Sequence, residues 1–289
     1  MPKNTGVTSL GVMAFLAKGY TPGTGPYGPV INRGVDFVLA GQKPNGLLIG
    51  KTASHGPMYS HTISTLMLSE VSGMVAPSRQ RKIDKALSKA LLLILAAQGM
   101  RKSAAHQGGW RYQHTSTDSD ISCSGWALMA LRSARNAGAG VPKKNIDEAV
   151  KFFLACRTPD GGFAYQPGGA PGLARAGTAL VCLELSGRHR DKVTLGAGEW
   201  VLGHLPRQFG AGIFYYGMYY CSQGMFQLGG SYWERWAEHL YKMMLKYQKP
   251  DGSWPASGGH EAKAGICYAT AMSVLSISVS YRQLPIYQR

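Results

Sequence analysis

The stretch Gln248-Lys-Pro-Asp-Gly252-Ser-Trp254 decides the fold, because its pattern, Gln-x3-Gly-x-Trp, returns along the chain. Gln42-Lys-Pro-Asn-Gly46-Leu-Leu48 repeats it with Leu for Trp. Arg157-Thr-Pro-Asp-Gly161-Gly-Phe163 repeats it with Arg for Gln and Phe for Trp, and a degenerate copy runs from Gln98 to Gly108-Gly109-Trp110. Each copy lies between two apolar helical stretches. A period of about 50 residues built from a helix pair and a Pro/Asp/Gly turn predicts a helical repeat array. The turn residues carry physical roles: Gly252 supplies a left-handed conformation, Pro250 stops a helix, the Gln248 amide satisfies carbonyls at a helix end, and Trp254 packs between outer helices.

Working outward from the turns, alternate helices differ in character. One set is apolar on nearly every face: 8–18, 59–74, 120–137, 173–186, 214–228 and 265–279. All-round apolarity predicts burial on all sides. The other set is amphipathic: 30–39, 82–97, 146–155, 192–202 and 233–247, with Asn145 as a plausible N-cap and Pro142 just upstream. Buried helices alternating with half-exposed ones predict two concentric layers: an all-α toroid of six inner and about five outer helices. Residues 1–289 are expected to form a single toroid domain, one outer helix short at its N-terminus on this count. An open TPR-like superhelix is the alternative, but its period is nearer ~34 residues.

Composition narrows the partners. The 289 residues carry 31 Lys and Arg against 15 Asp and Glu, a net charge of +16, which favours anionic partners such as lipid headgroups or phosphorylated metabolites. The basic residues are spread along the chain with no recognition-helix or zinc-finger spacing, so nucleic acid is not expected. Cys123, Cys156, Cys182, Cys221 and Cys267 form no CxxC pair and read as free thiols, mostly buried, which suits a reducing compartment. The longest strongly apolar run, 90–97, is too short to span a bilayer. The chain opens inside an apparent inner helix. The natural product is therefore expected to extend further, and a cytoplasmic or peripheral-membrane location is favoured.

The Gln-x3-Gly-x-Trp turns and inner-helix phrases such as Asp120-Ile-Ser-Cys-Ser-Gly-Trp126-Ala-Leu-Met-Ala-Leu131 resemble the squalene and oxidosqualene cyclases and the protein prenyltransferase β subunits. The segment order is similar to the prenyltransferase/squalene oxidase repeat proteins. That resemblance implies the toroid and an isoprenoid or lipid-like small molecule as ligand. It also implies an acid at the cyclases' Asp-x-Asp-Asp position, where this chain has Asp118-Ser-Asp120-Ile121: Asp120 matches the proton donor and Ile121 replaces the third Asp. Asp118 and Asp120 equally suit the N-cap of the helix that follows. The β-subunit zinc site implies Asp-x-Cys, but Ser122 stands where Cys should be, and Arg175 or Cys267 where His should be. No metal or other cofactor is therefore expected. If the inner helices start at the toroid mouth, His61, Trp126, Arg175, Tyr215, Tyr216, Tyr219, Tyr220 and Cys267 converge with Asp118 and Asp120 on one substrate-binding cavity. The two functional readings are a divergent terpenoid cyclase or prenyltransferase-like enzyme, and a non-catalytic scaffold for a peptide, lipid or protein. An anionic membrane is an expected peripheral contact.

Overall fold

The computed structural model describes residues 4–50, 56–256 and 258–288. Twelve helices are found among them, all formed where the apolar patterning put them except one. The inner set is α1 (Thr5–Ala17), α3 (Pro57–Glu70), α5 (Ile121–Asn136), α7 (Leu173–Leu185), α9 (Phe214–Leu228) and α12 (Ile266–Ile277). The outer set is α2 (Gly28–Ala40), α4 (Pro77–Gln98), α6 (Lys143–Ala155), α8 (Lys192–Gly203) and α10 (Gly230–Lys246). The short α11 (Gly259–Ala264) has no counterpart in the sequence reading.

Each inner helix packs against the next inner helix in the chain and against its own outer partner, and α12 returns to α1. The ring is closed, so the open superhelix is excluded. Between α7 and α9 the approach is close enough that a Cβ on Gly177 would stand 2.7 Å from the Cys221 backbone nitrogen. Small residues on the inner helices thus set the ring's diameter.

The turns behave as staples. The Gln42 amide donates to Gly46 O (3.2 Å) and to Ala86 O of α4 (2.9 Å), and the Gln98 amide donates to Gly108 O and to Asn145 O of α6, both at 2.8 Å. The indole N–H of Trp110 donates to Ile94 O and that of Trp254 to Met244 O, each at 2.8 Å. The Gln amides at 42 and 98 therefore bridge to the next outer helix, while Gln248, expected to satisfy carbonyls at a helix end, donates to Gly252 O inside its own turn (3.0 Å). Gly108 has φ +85°, and a Cβ there would lie 2.1 Å from Glu148 O, so only glycine lets this turn lie on α6. Asn145 is also not the cap of α6, which starts two residues earlier. Its amide donates to Gln98 Oε1 (2.7 Å), tying two outer helices together.

At the C-terminal ends of the inner helices a strap crosses the ring. Ile286 N–H donates to the buried Glu70 carboxylate (3.2 Å), the Gln227 amide donates to Tyr287 O, and the Tyr287 and Tyr219 hydroxyls are 2.8 Å apart. Burial pushes the Glu70 carboxyl up to about 7 against the pull of Ser133 and Ile286. No helix of the described residues is long and apolar enough to cross a membrane.

Candidate active site at the toroid mouth

The site is built on the start of α5. Asp120 is its N-cap, with extended φ, and its Oδ1 accepts from Ser122 N–H (2.9 Å) and Cys123 N–H (2.8 Å). A bridge between Trp110 and Asp120 and a bond from Ile121 N–H to Tyr165 O (3.0 Å) pull two loops against this helix start. Those loops deliver Arg111, Tyr112 and Tyr165, none of which the sequence reading singled out.

Arg111 pairs with Asp118, and its Nε stands 3.8 Å from Asp120 Oδ2. The Tyr112 and Tyr165 hydroxyls bond each other, and the Tyr59 ring lies 6.0 Å from that of Tyr112. The Arg111 guanidinium lies over both loop tyrosines, 4.9 Å from the Tyr112 ring and 5.7 Å from that of Tyr165. Asp120 is wholly buried, and its Oδ2 accepts no hydrogen bond of normal geometry. Burial pushes the carboxyl up to about 6, opposed by the Cys123 N–H, the Arg111 charge and the Tyr165 hydroxyl. The N-cap role accounts for Oδ1 alone. Because Oδ1 spends its lone pairs on two N–H donors, a proton on this carboxyl belongs on Oδ2.

The other sequence-predicted residues divide by helical phase. Trp126 stacks on Tyr219 (5.4 Å between ring centroids, 12° between planes) and meets Tyr216 and Tyr220 edge-on. These residues come from α5 and α9, which are not neighbours in the ring, so they meet across the axis. Trp126, Tyr219 and Tyr220 are all buried to 1% exposure or less. The axis is filled at their level by the Trp126, Tyr219 and Tyr220 rings. Tyr216 donates to Ser122 O (3.3 Å) and feels the Asp120 charge, which helps raise its phenol. Tyr215 turns away, with its hydroxyl on Pro255 O. Glu261 of α11 accepts from Tyr216 N–H (2.9 Å) and Tyr215 N–H (3.1 Å), capping α9 with a carboxylate from another helix.

His61 does not join the site. Leu48 N–H donates to its Nδ1 (3.1 Å), so Nε2 carries the proton and donates to Ala90 O (3.2 Å). Fully buried and held near a pKa of about 4 by desolvation, it is a neutral tie between a turn and α4. Arg175 stays at the rim, donating to Ala170 O (2.9 Å) with its guanidinium 5.8 Å from the Tyr165 ring, while Cys267 is exposed at the start of α12. Among the described residues no group of His, Cys, Asp and Glu is placed to hold a metal ion.

Comparison with known proteins agrees with this architecture. Among curated proteins, none matches this chain significantly. Of solved structures, the apo form of the type II terpene cyclase MstE from Scytonema is similar over 96% of this chain and 78% of its own, with TM-score 0.58 and 13% identity. A possible member of the GH105 family from Salmonella enterica subsp. enterica serovar Paratyphi A is similar over 96% and 83%, with TM-score 0.56 and 12% identity. Likeness at such identity shows the fold, and one fold serves several chemistries. The model of the prenyltransferase alpha-alpha toroid domain matches residues 32–212 and 214–286, and the chain belongs to that family.

Proposed function

We propose that this toroid takes an isoprenoid or other apolar chain at its mouth and that Asp120 is the acid acting on it. The observation that carries the reading is the Asp120 carboxyl: wholly buried, raised to about 6, one oxygen locked by two N–H donors and the other without a well-formed hydrogen bond, facing Arg111 at 3.8 Å. Such a group holds its proton up to about pH 6, about two pH units beyond an ordinary aspartate, and presents it on Oδ2. In the proposed step the π pair of a substrate alkene forms a C–H bond with that proton. The O–H pair stays on Asp120 as carboxylate, and Arg111 offsets the new charge. The carbocation faces the Tyr59, Tyr165 and Tyr216 rings, whose π faces stabilise cations. Loss of a proton from the cation, or capture by water, ends the reaction. Asp118 acts through Arg111, which it pairs, and Ile121 contributes barrel wall where a third carboxylate would stand.

Arg175 at the rim suits an anionic or hydroxyl head. Ile213 (42% exposed) and Ile266 (39%) stand at inner-helix starts and support peripheral contact of this face with an anionic membrane, helped by the net charge of +16. The filled axis favours the second reading, a non-catalytic scaffold. Lipid extraction and mass spectrometry of purified wild-type and Asp120→Asn protein, with polyprenyl alkenes then supplied as substrates, separates the two. A co-purifying isoprenoid, and a new product formed by the wild type and not by the variant, support the enzyme. Neither appearing leaves the scaffold.

A further inference from the structure

A cleft of about 730 Å³ lies outside the ring, between the C-terminal ends of α8 and α10, and belongs to none of the machinery above. One stripe of α10 lines it, His239, Lys242, Met243 and Lys246, at the i, i+3, i+4 and i+7 spacing that puts residues on one helix face. The loop leaving α8 faces that stripe with His204 and Arg207. No Asp or Glu lines the cleft, and Arg207, Lys242 and Lys246 form no ion pair among the described residues.

The two histidines are held. His204 stacks on Trp200 (3.8 Å, 10°) and its Nδ1 donates to Trp200 O (2.7 Å), which leaves Nε2 unused. His239 packs against the Pro206 carbonyl, and its buried Nε2 has no partner. Basic residues at helix C-termini offset the helix dipole, and that accounts for Lys246 in the last turn of α10. It does not account for Arg207 in the loop, for Lys242 a turn earlier, or for the orphan imidazole nitrogen. Apolar groups, Leu202, Leu205, Met243 and Tyr247, make up the rest of the wall.

We propose that this cleft binds a phosphate ester, its phosphate on Arg207, Lys242 and Lys246 and its organic part against Leu205, Met243 and Tyr247. A guanidinium and two ammonium groups around one space are the groups that bind phosphate oxygens with charge-assisted hydrogen bonds, and the unprotonated imidazole nitrogens can accept the P–OH of a monoester. The volume is within the range of small-ligand sites. The phosphate could be free in solution or the head of a lipid, and the test distinguishes the two.

Isothermal titration calorimetry of the whole chain with inorganic pyrophosphate and with phenyl phosphate reads the free ligand. Co-sedimentation with phosphatidylcholine vesicles, with and without phosphatidylglycerol, reads the lipid source. Lys242→Gln/Lys246→Gln removes two cleft charges, and Lys82→Gln/Lys85→Gln removes two from the exposed face of α4. The expected result is saturable 1:1 binding in one of the two arms. It should weaken roughly tenfold or more in the cleft variant, as loss of charge-assisted bonds gives, and stay within about twofold of wild type in the α4 variant. All four substitutions are at exposed positions, so both variants should fold. Absence of saturable binding in both arms overturns the proposal, and so does equal weakening by the two variants, which marks diffuse attraction to net charge. Neither result bears on Asp120.

Discussion

Asp120→Asn should make the protein more stable at neutral pH while removing its acid, and the size of the effect follows from the site. Asparagine caps a helix as well as aspartate, so the bonds from Ser122 and Cys123 N–H to Oδ1 are kept. What changes is the charge. Burial raises the carboxyl from 3.8 to about 6, and at about 1.4 kcal/mol for each tenfold change in proton affinity this is about 3 kcal/mol. The sign follows from linkage. A carboxyl raised in the folded state holds its proton more tightly there. Its stabilising contribution is complete below pH 3.8 and is lost as pH rises through about 6. Above that, the wild type carries a buried carboxylate that Arg111, at 3.8 Å, only partly offsets. The attraction to Arg111 is already contained in the raised value and is not subtracted again. Urea unfolding of wild type and variant from about pH 4 to about pH 8 should show the variant gaining about 2–3 kcal/mol relative to wild type over that range. A difference that stays constant with pH would refute the argument, as would a variant less stable than wild type at about pH 8.

The remaining predictions test the frame around the site. Glu70→Gln should slow amide exchange of Ile286 at about pH 8, because the wild-type carboxyl loses its stabilising proton as pH rises from 4.5 through about 7; equal exchange at that pH would count against a charged Glu70 loosening the strap. Gly108→Ala should cost more than about 2 kcal/mol in urea unfolding, since φ is +85° and the new methyl would meet Glu148 O. His61→Ala should lower the melting temperature by leaving Leu48 N–H and Ala90 O without their ring partner, about 1–3 kcal/mol. Ligand affinity measured below the melting range should be unchanged in that variant, and a fall would return His61 to the site.

The toroid was legible because both of its signals are local. Apolar period separates inner from outer helices, and a seven-residue turn with Gly at its fifth position marks three of the five passages back to an inner helix, with an interrupted copy before α5 and none between α8 and α9. The site was legible only where helical phase could be read from a helix's first residue. On α3, which starts at Pro57, Tyr59 faces the acid, and His61, two residues or about 200° further on, points to the outer layer. Counting from Tyr59 would have removed His61 from the cavity set. Arg111, Tyr112 and Tyr165 carried no such signal. They lie on irregular loops placed by a few backbone bonds, Asp120 N–H to Trp110 O (2.9 Å), Met58 N–H to Tyr112 O (3.1 Å) and Ile121 N–H to Tyr165 O (3.0 Å), between segments about 10 to 55 residues apart in the chain. Glu261 was hidden in the same way, on a one-turn helix without periodicity.

If Asp120 acts as the proposed acid, the loop arginine lets the site do without the third aspartate that the cyclase resemblance implies. A carboxylic acid that donates to carbon needs its proton on the exposed oxygen and a way to carry the charge left behind. A second carboxylate beside Asp120 would raise its proton affinity by repulsion. Here burial supplies that rise without a like charge, because Ile121 and the aromatic layer below exclude water from Oδ2. The charge left after transfer falls to Arg111, which Asp118 holds from its other side. Arg111→Gln should therefore leave the folded ring intact and raise the Asp120 carboxyl above about 6, since the opposing charge is gone. Carboxyl chemical shifts followed through a pH titration read that directly. A carboxyl unmoved or lowered in Arg111→Gln would mean the guanidinium serves Asp118 alone, and the acid would have no counter-charge on this chain.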